Sequence, residues 1–600
     1  MRKDTLVHRI ASWAQDRRDT PALHDRSASG EWVSLTWAEY WTAVRETAKG
    51  LIALGHTAGE CVAIVGANQS EWVIAQFGIM AARGVPAPIY VTNTAEQMAY
   101  IVKHSRARLA FVGDAEQLGK FREGIAAGWM ELESILTLNP LEDGLMTLSG
   151  LRALGREQDD AELDARLDAL TDQETALLIY TSGTTGVPKA VTLNHRGMIQ
   201  CGEGVVTHFP ELKAQSESYR SVSYLPLCHI AEQVFTNLLH IVTGGKVFFC
   251  PDLKEIKDFL VSVRPTIFLG VPRVWEKFQA VLEGKLSAQT GFKGWLTAWA
   301  LRTELAAFRE ETSTGRPASS LGRTLANKLV ISKVKSALGL QDLAASATGA
   351  APIGVETLEF FASLGITVYE GYGMSETTGI ATCPVAGRPR FGTVGIALPG
   401  VELKIAEDGE VLMRGEMMTR EYLHMPEQTA ELLDADGWLH SGDLGSLDAD
   451  GYLQITGRKK DLIITAGGKN VAPIELESYI KSIPGVGQAV VVGDRQPYLC
   501  ALVTLDAESL HEIETRLGLS GDLSTLAARP EVSAYIQAEI ETRCNAKVAR
   551  YQTIKKIDVL LTEFTVETGE LTPTMKIKRN VVSEKYRDAI AAFYVGGTPS

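Results

Sequence analysis

The chain has 600 residues and a formal net charge of −14, with 45% hydrophobic and 22% charged residues. This length exceeds what one hydrophobic core accommodates and predicts two or more domains, with the composition of a soluble globular protein. The acidic balance argues against nonspecific nucleic-acid binding, which requires a basic patch. Seven cysteines without a C-x-x-C pair argue against a disulfide scaffold and a zinc site.

No membrane span is predicted. The first residues contain no hydrophobic signal core. The most apolar stretch, residues 72–91, is interrupted by Arg83, Gly84, Pro86 and Pro88, which indicates a helix followed by a strand. We therefore expect a cytoplasmic protein. The sequence leaves open both peripheral contact with the inner face of a membrane and a homodimer.

The first part of the chain alternates strand and helix patterns. Residues 61–66, 85–90 and 109–112 are predicted as strands, and 70–82 as an amphipathic helix capped by Ser70. A second run follows, with a strand at 244–250, a helix at 253–263 and a strand at 266–270. This rhythm predicts parallel sheets covered by helices.

Between these two runs, a loop carries the strongest chemical signal. Residues 180–190 read YTSGTTGVPKA, and extended segments are predicted on both sides, at 176–180 and 190–193. Glycines allow close backbone approach, consecutive N–H groups form an anion-binding nest, and hydroxyls and a lysine add donors. The loop therefore suits a polyphosphate. It is not a Walker A loop, because Pro188 and Ala190 stand where that motif needs Gly and Ser or Thr.

The rest of the chain differs from the first part in its predicted secondary structure. Residues 275–340 are mostly helical and charged, with a polar break at 311–320. From 395 to 447, short strands with Gly and Asp turns indicate a small β-barrel subdomain. A boundary is predicted near 457–461, and a helix at 474–481 with strands at 488–492 and 500–505 then predicts a small α+β domain.

The 180–190 loop resembles the phosphate-binding motif of adenylate-forming enzymes: acyl-CoA synthetases, firefly-type luciferases and peptide-synthetase adenylation domains. Six further stretches match that family in its order: YLPLCH (224–229), GAAP (349–352), GYGMSET (371–377), HSGD (440–443), GRKKD (457–461) and TPTMKIKR (572–579). The resemblance covers nearly the whole chain.

The fold that the resemblance implies is α/β. A large N-terminal domain, residues 1–459, would contain two helix-covered sheets, a helical insertion at about 275–340 and a β-barrel subdomain at about 393–456. A small mobile α+β domain, residues 460–600, would follow. The insertion resembles that of long-chain fatty acyl-CoA synthetases.

The resemblance also implies roles for individual residues. The nucleotide site would comprise Thr181, Ser182, Gly183, Thr184, Thr185, Gly186, Lys189, Gly349, Ala350, Tyr372, Gly373, Ser375, Asp443 and Arg458. Within it Tyr372 would stack on adenine, and Asp443 with Arg458 would bind the ribose. Glu376 and Thr184 would hold Mg²⁺, because a carboxylate beside a triphosphate is repelled unless a cation lies between them.

The remaining predicted roles concern the acyl group, coenzyme A and movement. Lys576 would offset the repulsion between the attacking carboxylate and the α-phosphate, although Met575 stands where a glycine commonly precedes this lysine. His229 would position the acyl carbonyl and gate its path rather than transfer a proton. Lys460 would be the hinge, and Gly467, Gly468 and Lys469 would contact coenzyme A.

Trp275 lies in a VPRVW stretch that resembles the acyl gate of long-chain synthetases. A core tryptophan at a strand–helix junction is an equal alternative for it.

The sequence thus predicts an ATP-dependent long-chain fatty acid–CoA ligase that uses Mg²⁺, with ATP and coenzyme A as co-substrates. Adenylation of another acid or transfer to another acceptor, such as a carrier protein, is the first alternative. A nonenzymatic nucleotide or acyl sensor is the second, and the presence of both Glu376 and Lys576 argues against it.

Overall fold

A computed structural model describes residues 3–182, 187–214, 217–572 and 576–595. It shows a mixed α/β fold with a large N-terminal part and a smaller C-terminal part, which confirms the predicted fold class. None of the described helices is long and apolar enough to cross a bilayer.

The first sheet has five parallel strands. Their order across the sheet is Val85–Pro88, Cys61–Val65, Leu109–Val112, Ser134–Thr137 and Met146–Thr147. The central strands are continuous apolar runs because both of their faces are covered. The helices of this region are Trp37–Ala53, Ser70–Ala81, Ala95–Ser105, Ala115–Ala126 and Leu148–Arg156.

The helix Ser70–Ala81 differs from its prediction in two respects. It begins at Ser70, and the residue before it, Gln69, makes no side-chain cap. The backbone N–H of Ser70 instead donates to the Asp25 carboxylate over 3.1 Å, so a tertiary contact replaces the cap. Nearly all of its side chains are buried, because it packs against strands of two sheets. It is therefore a buried rather than an amphipathic helix.

Two further sheets complete the N-terminal core. One runs Arg220–Ser223, Lys246–Phe249, Pro21–Arg26 and Trp32–Thr36, with only the last pair antiparallel. The other is parallel and runs Ile267–Leu269, Ala345–Thr348 and Val368–Glu370. The strands Thr175–Ser182 and Pro188–Asn194 pair antiparallel around the predicted phosphate loop, as the sequence indicates. Residues 183–186 of that loop lie outside the described residues.

The predicted helical insertion is present. Its helices are Pro272–Ser287, Gly291–Thr314, Leu321–Ala326 and Ser332–Leu338, with a π-helical turn at Asn327–Ile331. The remaining helices of the N-terminal part are Leu6–Asp16, Ala161–Ala169, His195–His208, Glu211–Ala214, Ile230–Glu232, Leu239–Thr243, Ile256–Val263, Val355–Ser363 and Pro426–Leu432, with a π-helical turn at Gln233–Leu238.

Past the third sheet, a short pair, Thr382–Cys383 and Ile396–Ala397, leads into a four-stranded antiparallel sheet. Its strands are Glu402–Ile405, Glu410–Arg414, Leu439–Leu447 and Leu453–Arg458. Within the described residues the pairing is linear in that order, so a small sheet stands where the sequence predicts a small β-barrel.

The C-terminal part has a hydrophobic core of its own, formed by buried residues between Ile463 and Val559. Its sheet joins Val486–Val492, Leu499–Leu505 and Ile554–Leu560, and a two-stranded pair, Ile463–Ile464 with Asn470–Val471, precedes it. The helices are Pro473–Lys481, Leu510–Leu517, Leu523–Ala527, Pro530–Arg543, Arg579–Lys585 and Arg587–Ala592.

Candidate active site

A cleft of about 1580 Å³ lies where the two parts of the chain meet. The phosphate hairpin, the ends of the third sheet, the four-stranded sheet and the C-terminal part all contribute to its walls. Among the predicted site residues, the structure brings together Thr181, Lys189, His229, Gly349, Ala350, Gly373, Ser375, Glu376, Arg458, Lys460 and Lys576 along this cleft.

Glu376 is a buried carboxylate in the wall of the cleft, with 6% of its surface exposed. Its Oε1 atom accepts a hydrogen bond of 2.7 Å from the Tyr422 hydroxyl. The same tyrosine ring lies 4.7 Å beneath the Lys189 ammonium. Tyr422 therefore links the carboxylate to the lysine of the phosphate hairpin. No sequence motif singled it out.

The donor set around Glu376 fits a magnesium ion that is bound mainly by phosphates. Among the described residues, only one of the two carboxylate oxygens has a hydrogen-bond partner. No group of three or more His, Cys, Asp or Glu side chains suited to a metal occurs in the described part of the chain. Magnesium is commonly held by one or two carboxylates together with substrate phosphates, so the oxygen of Glu376 that has no described partner is an adequate protein ligand.

Tyr372, Asp443 and Arg458 form a hydrogen-bonded chain at one end of the cleft. The Tyr372 hydroxyl donates to Oδ2 of Asp443 over 2.8 Å, and Nε of Arg458 donates to Oδ1 over 2.7 Å. Desolvation, followed by the Asp443 charge, raises the pKa of Tyr372. The hydroxyl therefore stays protonated. The residues predicted to hold adenine and ribose are thus in direct contact with one another.

Small residues keep the neighbouring wall flat. A Cβ atom on Gly373 would lie 2.1 Å from the carbonyl oxygen of Gly379, and one on Gly349 would lie 3.0 Å from that of Gly371. Ala350 has a φ of 68°, a strained conformation for a residue with a Cβ atom. Close contacts with the backbone of the neighbouring segments therefore require glycine at 373 and favour it at 349.

Lys576 enters the cleft from the C-terminal part. Its side chain faces the solvent of the cleft, but the surrounding walls desolvate it partly. This desolvation and then the charge of Arg458 lower the pKa of Lys576, while Asp443 and Glu376 act in the opposite direction. The ammonium group is therefore within electrostatic reach of both carboxylates of the opposite wall.

His229 is a neutral imidazole at the edge of the cleft. Its Nδ1 atom accepts a hydrogen bond of 3.2 Å from the backbone N–H of Ala231. Desolvation and then the Lys576 charge lower the pKa of His229 to about 4. Because Nδ1 is an acceptor, the proton belongs on Nε2. A neutral ring fixed in this way is suited to positioning a substrate.

Residues from the centre of the phosphate loop cannot be placed. Gly183, Thr184, Thr185 and Gly186, together with the side chain of Ser182, lie outside the described residues. Their nucleotide-binding roles and the metal role of Thr184 stay predictions.

Trp275 is not part of the described lining of the cleft. It is fully buried, and its ring packs edge-on against Phe361 at 4.8 Å and Phe268 at 5.4 Å. Its Nε1 donates to the carbonyl of Ala347 over 3.2 Å, and Ala347 does line the cleft. The core alternative therefore describes its position, and Trp275 supports a wall instead of standing in the path.

The predicted coenzyme A segment forms an exposed turn. The backbone N–H of Gly468 donates to the Thr465 carbonyl over 2.8 Å, and Gly468 has a φ of 71°, which favours glycine. Gly467, Gly468 and Lys469 are absent from the described cleft lining, so their role stays a prediction.

Part of the described cleft lining is apolar, which the sequence did not reveal, and we call this part the apolar extension. It is lined by Val205, Phe209, Phe235, Leu269, Ile380 and Cys383. These residues come from separate elements, including the π-helical turn Gln233–Leu238, so no local pattern groups them. An apolar extension beside a polar, charged cleft can hold an amphiphilic substrate.

The family follows from both parts of the chain. A family model described as AMP-binding enzyme matches residues 10–423, and one described as AMP-binding enzyme C-terminal domain matches residues 460–597. The chain therefore belongs to the AMP-binding enzyme family.

Individual relatives extend over nearly the whole chain. It is 38% identical to the long-chain-fatty-acid–CoA ligase FadD15 of Mycobacterium bovis, with 97% of this chain and 96% of that protein covered. It is 33% identical to the long-chain-fatty-acid–CoA ligase ACSBG2 of Homo sapiens, with 96% and 90% covered.

Solved structures share the fold. The adenylation domain of a carboxylate reductase from Mycobacterium chelonae superposes with a TM-score of 0.74 at 21% identity, covering 98% of this chain and 91% of that one. The anthranilate CoA ligase AuaEII, in complex with anthranoyl-AMP, gives a TM-score of 0.73 at 20% identity, covering 98% and 100%.

Proposed function

We propose that the protein is an ATP-dependent, AMP-forming long-chain fatty acid–CoA ligase. The observation that carries this proposal is the meeting of Lys576 with Glu376 and Arg458 in one cleft, which the residues of the apolar extension also line. The names of relatives that match almost the full chain support the same substrate class.

In the first half-reaction, the fatty acid carboxylate attacks the α-phosphate of ATP. A P–O bond forms to the carboxylate oxygen, and the bond to pyrophosphate breaks. Lys576 offsets the charge between the two anions in the transition state. Glu376 would hold Mg²⁺, which neutralises phosphate charge when bound. His229, as a neutral imidazole, positions the acyl carbonyl, and Tyr372, Asp443 and Arg458 hold the nucleoside.

In the second half-reaction, the coenzyme A thiolate attacks the acyl carbon and AMP leaves with the C–O bond electrons. The C-terminal part would turn about Lys460, withdraw Lys576 and bring the exposed turn Gly467–Lys469 towards the cleft. Large rearrangements of this kind assemble successive sites in one enzyme. A cytoplasmic location belongs to the same proposal.

A preference for long chains rests on the apolar extension. Val205, Phe209 and Phe235 line it, and they offer no partner to a polar or short acid. Each buried methylene adds about 0.8 kcal/mol of binding free energy, so a long chain gains from the extension what acetate cannot.

The test is AMP release from a panel of acids of about C2 to C20, with and without coenzyme A. We expect the highest kcat/KM at about C12 to C18, with sustained turnover only when coenzyme A is present. A higher kcat/KM for acetate or an aromatic acid would overturn the long-chain assignment. Sustained AMP release without coenzyme A would overturn the assignment of coenzyme A as the acyl acceptor.

The gate hypothesis is tested separately at Trp275. Trp275→Phe keeps an aromatic ring but removes the donor to Ala347, and Trp275→Ala empties the volume behind the wall. Both should raise the KM for fatty acid more than the KM for ATP. The Ala variant should also lose about 3–5 kcal/mol of unfolding free energy, measured by denaturant titration. Equal changes in both KM values would show a structural role only.

A further inference from the structure

The helical insertion carries five strongly or partly exposed apolar side chains within 38 residues. Its exposed fractions are 75% for Phe292, 58% for Trp295, 91% for Leu321, 49% for Leu325 and 36% for Leu329. We call these five side chains, together with the exposed cations of residues 285–335, the insertion surface.

The five side chains lie on two helical segments that pack against each other. Ala300 of one segment and Ala326 and Val330 of the other are buried in their common seam. This buried contact determines which faces of the two helical segments remain exposed to solvent. Phe292 and Trp295, three residues apart, share one outward face, and their rings stack at 5.7 Å. Leu321, Leu325 and Leu329 follow at intervals of four along the second segment.

This surface is basic in an acidic protein. Residues 285–335 contain nine Lys and Arg against three Asp and Glu, whereas the whole chain has a formal net charge of −14. Seven of the cations are exposed. Arg309 pairs with Glu359 over 2.8 Å, and the other six have no carboxylate partner among the described ion pairs. They are Lys285, Lys293, Arg302, Arg316, Lys328 and Lys333. Arg323, by contrast, pairs with Glu304 over 2.7 Å.

We propose that the insertion surface docks the protein on an anionic lipid bilayer. Phe, Trp and Leu side chains enter the boundary between headgroups and acyl chains, while Lys and Arg contact anionic headgroups. Exposed cations and exposed apolar side chains on the same helical segments can provide both interactions. Two copies of the surface would meet with like charges, which disfavours self-association through it.

The inference goes beyond the proposed function, and its measurement needs neither ATP nor fatty acid. Purified full-length protein is floated or sedimented with vesicles of phosphatidylcholine alone or with about one-third phosphatidylglycerol. We expect binding only to the anionic vesicles, with a sharp decrease as salt screens the headgroups.

Two variants separate the apolar and the charged contributions. Lys293→Gln with Lys328→Gln should weaken vesicle binding about thirtyfold, since each lysine near an anionic surface contributes about 1 kcal/mol and about 1.4 kcal/mol corresponds to tenfold. Trp295→Ala should weaken it by about the same factor. The matched controls change similar exposed residues elsewhere. They are Lys254→Gln with Lys257→Gln, and Trp129→Ala, a tryptophan that is 43% exposed.

Equal binding to neutral and anionic vesicles, or equal losses in the controls, would overturn the proposal. So would a concentration-dependent dimer in sedimentation velocity that Trp295→Ala abolishes, because a second copy would then cover the surface. Adenylation of fatty acid supplied from albumin should be unchanged in all four variants, which separates this result from a failure of the proposed function.

Discussion

The two sides of the cleft differ in how firmly their charged side chains are held in place. On the N-terminal side, the carboxylates Glu376 and Asp443 are 6% and 5% exposed, and each is held by a tyrosine hydroxyl. On the C-terminal side, Lys576 is exposed and none of the described ion pairs includes it. The N-terminal side is therefore preorganised, whereas the position of Lys576 depends on how the two parts of the chain meet.

The contacts between the two parts agree with this difference. Among the described residues, three ion pairs join them: Arg273 with Asp506 over 2.8 Å, Lys277 with Glu508 over 2.5 Å and Lys547 with Glu356 over 2.8 Å. The pairs of Lys277 and Lys547 are exposed on both sides, and such pairs contribute only about 0–1 kcal/mol each. Such contacts stabilise one arrangement without preventing another.

The largest expected effect comes from removing the movable cation. Lys576→Ala should reduce ATP–pyrophosphate exchange by about 10²–10³, because nothing then offsets the charge between carboxylate and phosphate. Thioester formation from presynthesised acyl-adenylate should be largely retained. Lys578→Ala, which removes a neighbouring cation, is the control. Equal loss of both half-reactions in Lys576→Ala would contradict the separation of roles.

Substitution of Glu376, the preorganised metal ligand that we propose, should have a different effect. Glu376→Gln keeps the shape and can still accept from Tyr422, but it removes the charge. We expect adenylation to fall by about 10²-fold and its dependence on Mg²⁺ concentration to weaken. Tyr422→Phe removes only the supporting hydrogen bond, and it should cost about tenfold or more. A Glu376→Gln enzyme with normal rate and normal Mg²⁺ dependence would show that the carboxylate has no metal role.

The sequence predicted the fold well where a pattern was local. Continuous apolar runs bounded by Gly and Pro placed the parallel strands within a few residues. The helix Ser70–Ala81 shows the limit. Its serine stands where a cap is expected, but the bond to Asp25 comes from a strand 45 residues earlier. Its all-round burial likewise depends on two sheets that no local window contains.

The residues of the candidate site show the same difference between local patterns and tertiary packing. Residues inside motifs, such as Glu376 and Arg458, meet in the cleft. Tyr422 and Phe209 do not belong to any motif, because each contributes one side chain from a distant element. For Trp275 the sequence supplied both alternatives. Which side of the wall the ring occupies depends on Phe268 and Phe361, and therefore on tertiary packing.

The next effect concerns the hinge. Lys460 lies in a single 3-10 turn between the four-stranded sheet and the C-terminal core. Lys460→Pro fixes φ near −65° and removes a donor, so transfer to coenzyme A should fall by about tenfold or more while adenylation is retained. Lys460→Ala removes the same cation but leaves φ free, and should behave like the unmodified protein. If the Ala variant lost transfer equally, the charge and not the backbone would be responsible.

The smallest effect should come from the contacts that hold the two parts together. Lys277 and Glu508 are 45% and 70% exposed, so their pair is worth at most about 1 kcal/mol, or about fivefold in the balance between arrangements. Lys277→Glu or Glu508→Lys should each shift that balance away from adenylation, lowering the ratio of ATP–pyrophosphate exchange to thioester formation. The double variant reverses the pair and should restore the ratio. The control is Arg122→Glu, which reverses the charge of a residue that pairs with Glu142 inside the N-terminal part. This variant should leave the ratio unchanged. If the double variant stayed as low as either single one, the ion pair would not set the balance, and the position of Lys576 would depend on other contacts between the two parts.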